Sequence, residues 1–307
     1  MTGEAGIWHV LIQPVDIRVP VWCCWYRSAA RCIGDLWHDV GGWKMAWDPA
    51  QYLRFGSERL RPALDLLARV SLDAPAEVVD LGCGAGNVTQ VLRARWPRSS
   101  IVGVDSSPEM LQQARIAEPS ARWIEADIGA WRPAAPVDLI FSNAALHWLP
   151  EHASLMAHLF GYLKPGGVLA VQMPNQTGAP SHMGIGEGID AAPLPEELKA
   201  HLRSLRISAL AAPTQYYDWA SMHADLIDQW ETHYTHVLGP TSAGSSAVAE
   251  WTRSTSLKPV LEALSHVPRE RFWRDYCERM VRAYPARADG NTLFAFRRFF
   301  MVARRRL

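Results

Sequence analysis

Residues 78–87 read VVDLGCGAGN, an apolar run that ends at Asp80 and continues into glycines at positions 82, 84 and 86. The apolar run predicts a buried parallel strand. The residues from Asn87 onward predict a helix, with Asn87 or Thr89 as its cap. Glycines between a strand and a helix permit positive φ angles and let a ligand approach the bare backbone. The order strand, glycine-rich turn, helix indicates a nucleoside-binding βαβ unit, although tight turns without a ligand use glycine too.

A second acid supports the interpretation as a nucleoside site. Asp105 ends the next apolar run and lies 19 positions after Gly86, where βαβ units place the acid that holds the ribose hydroxyls. Asp80 opens the glycine loop, and a carboxylate there repels a pyrophosphate but suits a cation. S-adenosylmethionine carries an ammonium group and a sulfonium centre, so the spacing D-x-G-x-G-x-G favours it; NAD and a bare structural turn are the alternatives. The motif resembles the first cofactor motif of the class I methyltransferases.

Strands and helices alternate from about residue 76 to residue 172. Apolar runs at 123–124 and 137–143 predict the third and fourth strands, and residues 163–171 predict a helix end, a turn and a fifth strand. This alternation predicts an α/β fold with a doubly wound parallel sheet. Ligands bind at the carboxyl ends of the strands of such a sheet. The residues that fall there include Gly82, Asp105, Asp127 and Asn143.

Charge and cysteine content restrict the partners. The 31 basic and 31 acidic residues give a net charge of +0, and no basic stripe of the kind that binds nucleic acid appears. The five cysteines form neither a zinc spacing nor an even disulfide framework, which favours a reducing cytoplasm. Cys83 is interpreted as a small residue that fits the glycine loop. We expect a cytoplasmic protein, acting as a monomer, with no membrane segment.

The first 44 residues differ from the rest of the chain. They hold three of the five cysteines and five of the 14 tryptophans, and they show no sustained helical or strand period. They also lack a run of about 20 apolar residues and a clean signal peptide. We hypothesise that Met45 is the natural start and that residues 1–44 are an upstream extension, non-native or disordered. A genuine targeting or interaction segment is the alternative.

Several stretches outside the glycine loop carry a narrower resemblance. They are DPAQYLRF at 48–55, SNAALHWLP at 142–150, VQMPN at 171–175, WETHYTH at 230–236 and FRRFFMVA at 296–303. On these stretches the chain resembles the trans-aconitate methyltransferase family, bacterial enzymes that esterify one carboxylate of a tricarboxylic acid. The likeness covers nearly all of residues 45–304, and the stretch between Met183 and Ala212 departs from the family pattern.

The resemblance implies a Rossmann-like class I methyltransferase sheet, mostly parallel with the last strand antiparallel, and S-adenosylmethionine as the cofactor. It places the cofactor-binding core at about 70–175 and a substrate-side region with a helical lid at about 176–291. In the family, an acid at the place of Asp127 accepts a hydrogen bond from the adenine amino group, and the next backbone N–H meets the ring. The implied cofactor-binding residues are Asp80, Gly82, Gly84, Gly86, Asp105, Ser106, Asp127, Ile128 and Asn143.

The C-terminal pattern makes sense without the family. Residues 225–236 predict a sixth strand and residues 292–304 a seventh. Helical stretches at 247–264 and 269–284 lie between them. An insertion at this place would cover the cofactor cleft as a lid and exclude water. A helical cap that only completes the core is the alternative.

The implied chemistry requires cations more than it requires a base. A carboxylate is already ionised at neutral pH, so no general base is needed, and the enzyme must align and desolvate the reactants. Arginine binds carboxylates bidentately and should hold those that do not react. His147 and Trp148 follow the fourth strand and are expected to position substrate or cofactor. The substrate candidates, each with a solvated or structural role as the alternative, are Arg59, Arg61, Tyr217, Tyr234, Arg253 and Arg298.

Two other functions stay open at this point. One is the methylation of another small polycarboxylic acid or of a malonyl carrier protein; the carrier would need a basic docking face that the even charge does not show. The other is a cofactor-binding regulatory protein without methyltransferase activity.

Overall fold

A computed structural model describes residues 60–205, 210–242, 245–253 and 255–307. The predictions for residues 1–44, for the family-like stretch 48–55 and for Arg59 lie outside these residues. The described strands are Glu77–Leu81 (β1), Ser100–Asp105 (β2), Arg122–Glu125 (β3), Val137–Asn143 (β4), Leu163–Pro174 (β5), Ala224–Leu238 (β6) and Thr292–Arg305 (β7). They form one mixed sheet in the order β3-β2-β1-β4-β5-β7-β6.

Helices cover the sheet and form the connection between β6 and β7. A short 3-10 turn, Leu146–Trp148, follows β4. The helices are Arg61–Ala68 (α1), Asn87–Arg95 (α2), Pro108–Ala117 (α3), His152–Gly161 (α4), Pro180–Ala191 (α5), Glu196–Ser204 (α6), Pro213–Ser221 (α7), Ala247–Arg253 (α8), Lys258–Ala263 (α9) and His266–Ala283 (α10).

The sheet confirms the predicted α/β architecture with an antiparallel last strand. The pairs β1–β2, β2–β3, β1–β4 and β4–β5 are parallel, whereas β7 runs antiparallel to both β5 and β6. The central strands are apolar because helices cover both faces. Asp80 pairs with Gly103, and Asn143 pairs with Gln172. The carboxyl ends of the parallel strands therefore meet at one edge, where ligands bind in such sheets.

Two local predictions were wrong. Neither Asn87 nor Thr89 caps α2: the cap is Gly86, at φ +82°, and the Thr89 hydroxyl instead donates to Asp80. The predicted single helix over 247–264 is two helices, α8 and α9. Pro259 lies in the first turn of α9, where its missing N–H is tolerated, whereas inside a longer helix it would remove a hydrogen bond.

The helices between β6 and β7 have an apolar core of their own, which we call the lid core. It contains Val260, Phe272 and Tyr276 from these helices, Ile185 from α5 and Phe294 from β7. Because α5 and β7 contribute side chains to this core, the lid helices pack against both of these elements. Within the described residues, no helix is long and apolar enough to cross a membrane.

Candidate functional site

The glycine loop joins β1 to α2 through three left-handed residues. Gly82, Gly84 and Gly86 have φ angles of +80°, +52° and +82°. A Cβ on Gly82 would lie 2.1 Å from the Cβ of Ala145, so this position admits glycine only. A Cβ on Gly84 would meet no atom within 4 Å. Gly82 is thus required by packing, while Gly84 presents bare backbone to open space.

Asp105 holds this loop in place from the end of β2. Its carboxylate accepts hydrogen bonds from the backbone N–H of Gly84 at 2.8 Å and of Ser107 at 3.0 Å. Each carboxylate oxygen can accept a second bond, so Asp105 keeps acceptor capacity at the edge of the sheet. Its place fits the predicted role on the ribose hydroxyls, which stays a prediction.

Asp80 lies beneath the loop. It is 1% exposed, and it accepts a hydrogen bond from the Thr89 hydroxyl at 2.6 Å. Burial raises the pKa of Asp80 to about 7, and the Thr89 bond opposes part of that rise. The sequence expectation placed this carboxylate beside a cationic ligand, whereas the structure describes it as a buried acid that joins the strand to the helix.

The remaining predicted cofactor residues lie along the same edge. Asp127 is exposed and accepts a hydrogen bond from the Gly129 N–H at 2.8 Å, while Ile128 is half-buried and Ser106 is exposed. Asn143 ends β4, and its Oδ1 is buried without a hydrogen-bond partner. An unmet buried acceptor is costly, so this atom is suited to a ligand's donor.

These residues fit S-adenosylmethionine. The cofactor carries hydroxyl, amino and ammonium donors, and the edge supplies carboxylate and amide acceptors from Asp105, Asp127 and Asn143. The open space at Gly84 is where a ligand can approach the backbone. Burial raises the pKa of Cys83 well above its usual range, which supports a packing role for this residue over a nucleophilic one.

A cavity of about 460 Å³ adjoins this edge. Segments distant in sequence form its walls: the end of β4 with the 3-10 turn, the end of β5 and the start of α5, Leu210 before α7, the lid around the end of α8, and β7. Its lining includes Asn143, His147, Trp148, Gln176, Ser256 and Arg298. Because Asn143 belongs both to the cavity and to the cofactor edge, the two sites meet there.

Arg298 supplies the positive charge of the cavity. It is the one arginine or lysine among the described residues that line the cavity, and it is 6% exposed. Its Nη1 donates to the Gln172 side-chain oxygen at 3.1 Å, and its guanidinium lies 4.8 Å from the centre of the Phe296 ring. A guanidinium in so dry a place attracts a carboxylate far more strongly than one at the surface. Arg298 is thus the one arginine among the substrate candidates named from the sequence that lines the cavity in the described part of the chain.

His147 and Trp148 lie on the 3-10 turn and both line the cavity. Their rings are 5.1 Å apart, with His147 buried and Trp148 half exposed. Burial lowers the pKa of His147 to about 3, and Arg298 contributes to the decrease. His147 is therefore neutral at physiological pH, and it can donate or accept a hydrogen bond without titrating.

The half-buried His152 and the buried Tyr216 hold this turn in place. His152 Nε2 bonds the Leu146 carbonyl oxygen at 3.0 Å, and its Nδ1 bonds the Tyr216 hydroxyl. The carbonyl only accepts, so Nε2 carries the proton and Nδ1 accepts from Tyr216. Tyr216 on α7 is fully buried, and this link ties α7 to the turn that carries His147.

The other substrate candidates lie elsewhere. Tyr234 donates to the Asp65 carboxylate at 2.6 Å, and Arg61 lies 5.3 Å from the centre of the Tyr234 ring. Arg253 is at the surface, 3.6 Å from Glu250 and 4.9 Å from the centre of the Trp273 ring. Tyr217 is exposed on α7. None of Arg61, Tyr217, Tyr234 or Arg253 is among the described residues that line the cavity.

Gln176 and Ser256 are among the polar residues of the cavity wall that sequence reasoning missed. Both are buried, and each has a side-chain atom without a hydrogen-bond partner, Gln176 Nε2 and Ser256 Oγ. Gln176 follows directly after the family-like stretch 171–175, which was the available signal. Nothing in the local sequence around Ser256 marks it as lining a site.

Hydrogen bonds attach the lid to α5. The Tyr276 hydroxyl from α10 donates to the Ser181 carbonyl oxygen at 2.8 Å and lies 3.1 Å from the Thr252 hydroxyl of α8. These three groups are buried together, and of them Thr252 lines the cavity. The lid is thus fixed to α5 beside the cavity.

Comparison with known proteins is consistent with this geometry. A family model described as a methyltransferase domain matches residues 52–231. The trans-aconitate 2-methyltransferase of Azoarcus sp. (strain BH72) is 48% identical over 84% of this chain and 98% of its own length. That of Acidovorax ebreus (strain TPSY) is 47% identical over 84% and 98%, and that of Rhizobium leguminosarum bv. trifolii (strain WSM2304) is 42% identical over 84% and 99%.

Solved structures agree on the fold. A Bacillus halodurans C-125 protein described as a methyltransferase superposes with a TM-score of 0.51 at 13% identity, covering 80% of this chain and 100% of that one. The YcgJ protein of Bacillus subtilis gives a TM-score of 0.50 at 14% identity, covering 80% and 99%. At these identities the likeness supports the shared sheet and no more.

Proposed function

The chain belongs to the trans-aconitate 2-methyltransferase family of S-adenosylmethionine-dependent methyltransferases, and we propose that it forms the monomethyl ester of trans-aconitate in the cavity beside Asn143. The observation that carries this proposal is Arg298: a buried guanidinium lines a cavity that meets the cofactor edge. A polycarboxylate is the class of small molecule that such a charge selects.

The glycine loop, Asp105, Asp127 and Asn143 would hold S-adenosylmethionine at the carboxyl ends of the parallel strands. When bound, the cofactor supplies an electrophilic methyl group on a sulfonium. Bare backbone at Gly84 permits close approach, and Asp105 both shapes the loop and offers acceptors. These assignments are carried by the chemistry of the side chains and by their shared position.

The residues of the cavity need only bind and orient the acid. Its carboxylates are ionised at neutral pH, so attack on a methyl group requires no proton transfer. His147, neutral because its pKa is about 3, is suited to a positioning hydrogen bond and not to the role of a base that titrates near pH 7. Trp148 offers an apolar wall beside it.

Arg298 should bind a carboxylate that does not react. A bidentate guanidinium withdraws electron density from the oxygens that it clamps, which would weaken a nucleophile. Held through a remote carboxylate, the acid presents another one toward the cofactor edge. Arg298 is buried, and a dry environment strengthens the attraction between its guanidinium and a carboxylate.

The proposal is tested by supplying the purified protein with methyl-labelled S-adenosylmethionine and separate acceptors. We expect label in a base-labile ester of trans-aconitate, with a higher kcat/KM than for citrate, other small polycarboxylates or a malonyl carrier protein. Greater transfer to one of those acceptors would favour the corresponding alternative methyltransferase. Cofactor binding without transfer to any acceptor would favour the regulatory alternative.

We also infer a cytoplasmic monomer acting on a small molecule. The even charge and the missing basic stripe support a small acid over nucleic acid as the partner. Light scattering measures the oligomeric state directly, and a stable dimer would overturn that part of the inference.

A further inference from the structure

Two buried polar side chains face the cavity from segments 80 residues apart and have atoms without a partner. Gln176 is 5% exposed and Ser256 is 6% exposed; Gln176 Nε2 and Ser256 Oγ make no hydrogen bond. Leaving a buried polar group unpaired destabilises the fold, and such groups in native structures have a reason. Both atoms can donate hydrogen bonds, so a ligand that accepts them would remove this cost.

The backbone on both sides of Gln176 is held firmly. Arg297 Nε donates to the Asn175 carbonyl oxygen at 2.9 Å, and its Nη2 donates to the Thr177 carbonyl oxygen at 2.8 Å. The Asn175 side chain donates to Glu231 on β6 at 2.7 Å. Gln176 therefore lies between two clamped residues, which fixes the backbone from which its side chain enters the cavity.

Ser256 is likewise held by its surroundings. It lies between α8 and α9, where the N–H groups of Thr255 and Leu257 both bond the Thr252 carbonyl oxygen, at 3.0 and 3.1 Å. Thr252 itself is anchored through Tyr276. The hydroxyl of Ser256 thus comes from the lid, whereas the amide of Gln176 comes from the sheet side of the cavity.

We propose that Gln176 and Ser256 form a neutral hydrogen-bonding subsite for a second carboxylate of the substrate, distinct from the carboxylate held by Arg298. Hydrogen bonds to an ionised acceptor are stronger than those between neutral groups, so an amide and a hydroxyl suffice without a second cation. The subsite gives the cavity its preference for acids with more than one remote carboxylate. It rests on the proposed function, since it assumes a polycarboxylate in this cavity.

The subsite can be separated from Arg298 by analogues that each lack one carboxylate. We would measure kcat/KM for trans-aconitate and for the two dicarboxylate analogues that each lack one non-reacting carboxylate, with wild type, Gln176→Leu, Ser256→Ala and Arg298→Met. On trans-aconitate, Gln176→Leu and Ser256→Ala should each lose about 10- to 100-fold, the range for a hydrogen bond to a charged group. Both variants should match wild type within about threefold on one and the same analogue, and Arg298→Met should do so on a different one.

Control variants separate this effect from damage to the fold. Gln229→Leu alters another glutamine with a buried atom that has no partner, outside the cavity lining, and Ser245→Ala alters a lid serine that bonds Glu250. Neither control should discriminate among the three acids. Gln176→Glu keeps the shape but places a negative charge in the subsite, so it should lose more than Gln176→Leu on trans-aconitate.

The outcomes distinguish the two proposals. A wild-type protein that does not methylate trans-aconitate overturns the proposed function and the subsite with it. An active wild type whose Gln176 and Ser256 variants lose equally on all analogues, or share the insensitive analogue with Arg298→Met, overturns the subsite alone.

Discussion

The glycine loop and the acid cavity are built in opposite ways. The loop and the acid that shapes it fall within residues 80–105, and the shape follows from three positive φ angles and a carboxylate that binds the Gly84 N–H. The cavity takes its polar groups from residues as far apart as Asn143 and Arg298. A contiguous site is set by local backbone requirements, whereas a dispersed site is set by which side chains the whole fold happens to bury together.

Removing the charge of the cavity should have the largest effect on catalysis. Arg298→Met should lower kcat/KM for trans-aconitate, with a loss of transition-state stabilisation of about 2–5 kcal/mol, as for truncating one partner of a buried charge pair. Arg253→Met is the matched control, because that arginine is at the surface, and it should change kcat/KM by less than about twofold. Equal losses in the two variants would show that the cavity does not bind the acid.

Two alanine substitutions should separate folding from binding within the loop. Gly82→Ala combines a left-handed φ with a collision against Ala145, and it should lower the free energy of unfolding by about 2–5 kcal/mol. Gly84→Ala meets no neighbour, so it should cost only about 1–2 kcal/mol of stability while weakening cofactor binding. Urea unfolding and calorimetric titration measure the two effects; similar unfolding losses would contradict the assigned difference.

The same contrast explains what could be predicted from the sequence. The parallel sheet and the cofactor edge follow from apolar runs and glycine spacing, which are local signals, whereas the antiparallel last strand was implied only by the family resemblance. Arg298 was one of several arginines until the pairing of β5 with β7 placed it beside Gln172. Ser256 carries no local mark and Gln176 only its place after the stretch 171–175, because what distinguishes both side chains is burial without a hydrogen-bond partner. Thr89 was predicted as a cap of α2, but its hydroxyl donates a hydrogen bond to the Asp80 carboxylate instead.

Asp80 should make stability depend on pH. Its folded pKa of about 7 lies above the ordinary 3.8, so the folded state binds the proton more tightly than the unfolded chain. The free energy of unfolding should therefore fall as pH rises from about 4 to about 7, by up to about 4 kcal/mol.

The Asp80→Asn variant tests this dependence, because it keeps an acceptor for Thr89 and cannot ionise. Relative to wild type, the variant without cofactor should gain stability between pH 5 and pH 8, measured by urea unfolding. A stability difference that does not change with pH would rule out a buried, proton-binding Asp80.

Asp105 should act on the cofactor more than on the acid. Asp105→Ala should weaken S-adenosylmethionine binding by about 1–3 kcal/mol, the range for a lost hydrogen bond to a charged group. Part of this loss is indirect, because the substitution also removes the carboxylate that accepts the Gly84 N–H and shapes the loop. Isothermal titration on a folded variant measures it, and unchanged cofactor affinity would remove Asp105 from the site.

His147 should give the smallest change in pH behaviour. Because its pKa is about 3, it is neutral from pH 6 to pH 9 and no basic or acidic limb of the rate profile belongs to it. His147→Gln should lower activity through positioning and leave the shape of the kcat/KM profile unchanged. Loss of a limb near neutrality in the variant would identify His147 as a base.

A crystal structure with S-adenosylhomocysteine and trans-aconitate tests the central claim most directly. We expect one carboxylate of the acid on the Arg298 guanidinium, another within hydrogen-bond distance of Gln176 and Ser256, and the cofactor's sulfur reaching the acid from the Asn143 side. Acid bound instead beside Arg61 and Tyr234, or on Arg253, would contradict the assignment of the cavity as the site of methyl transfer.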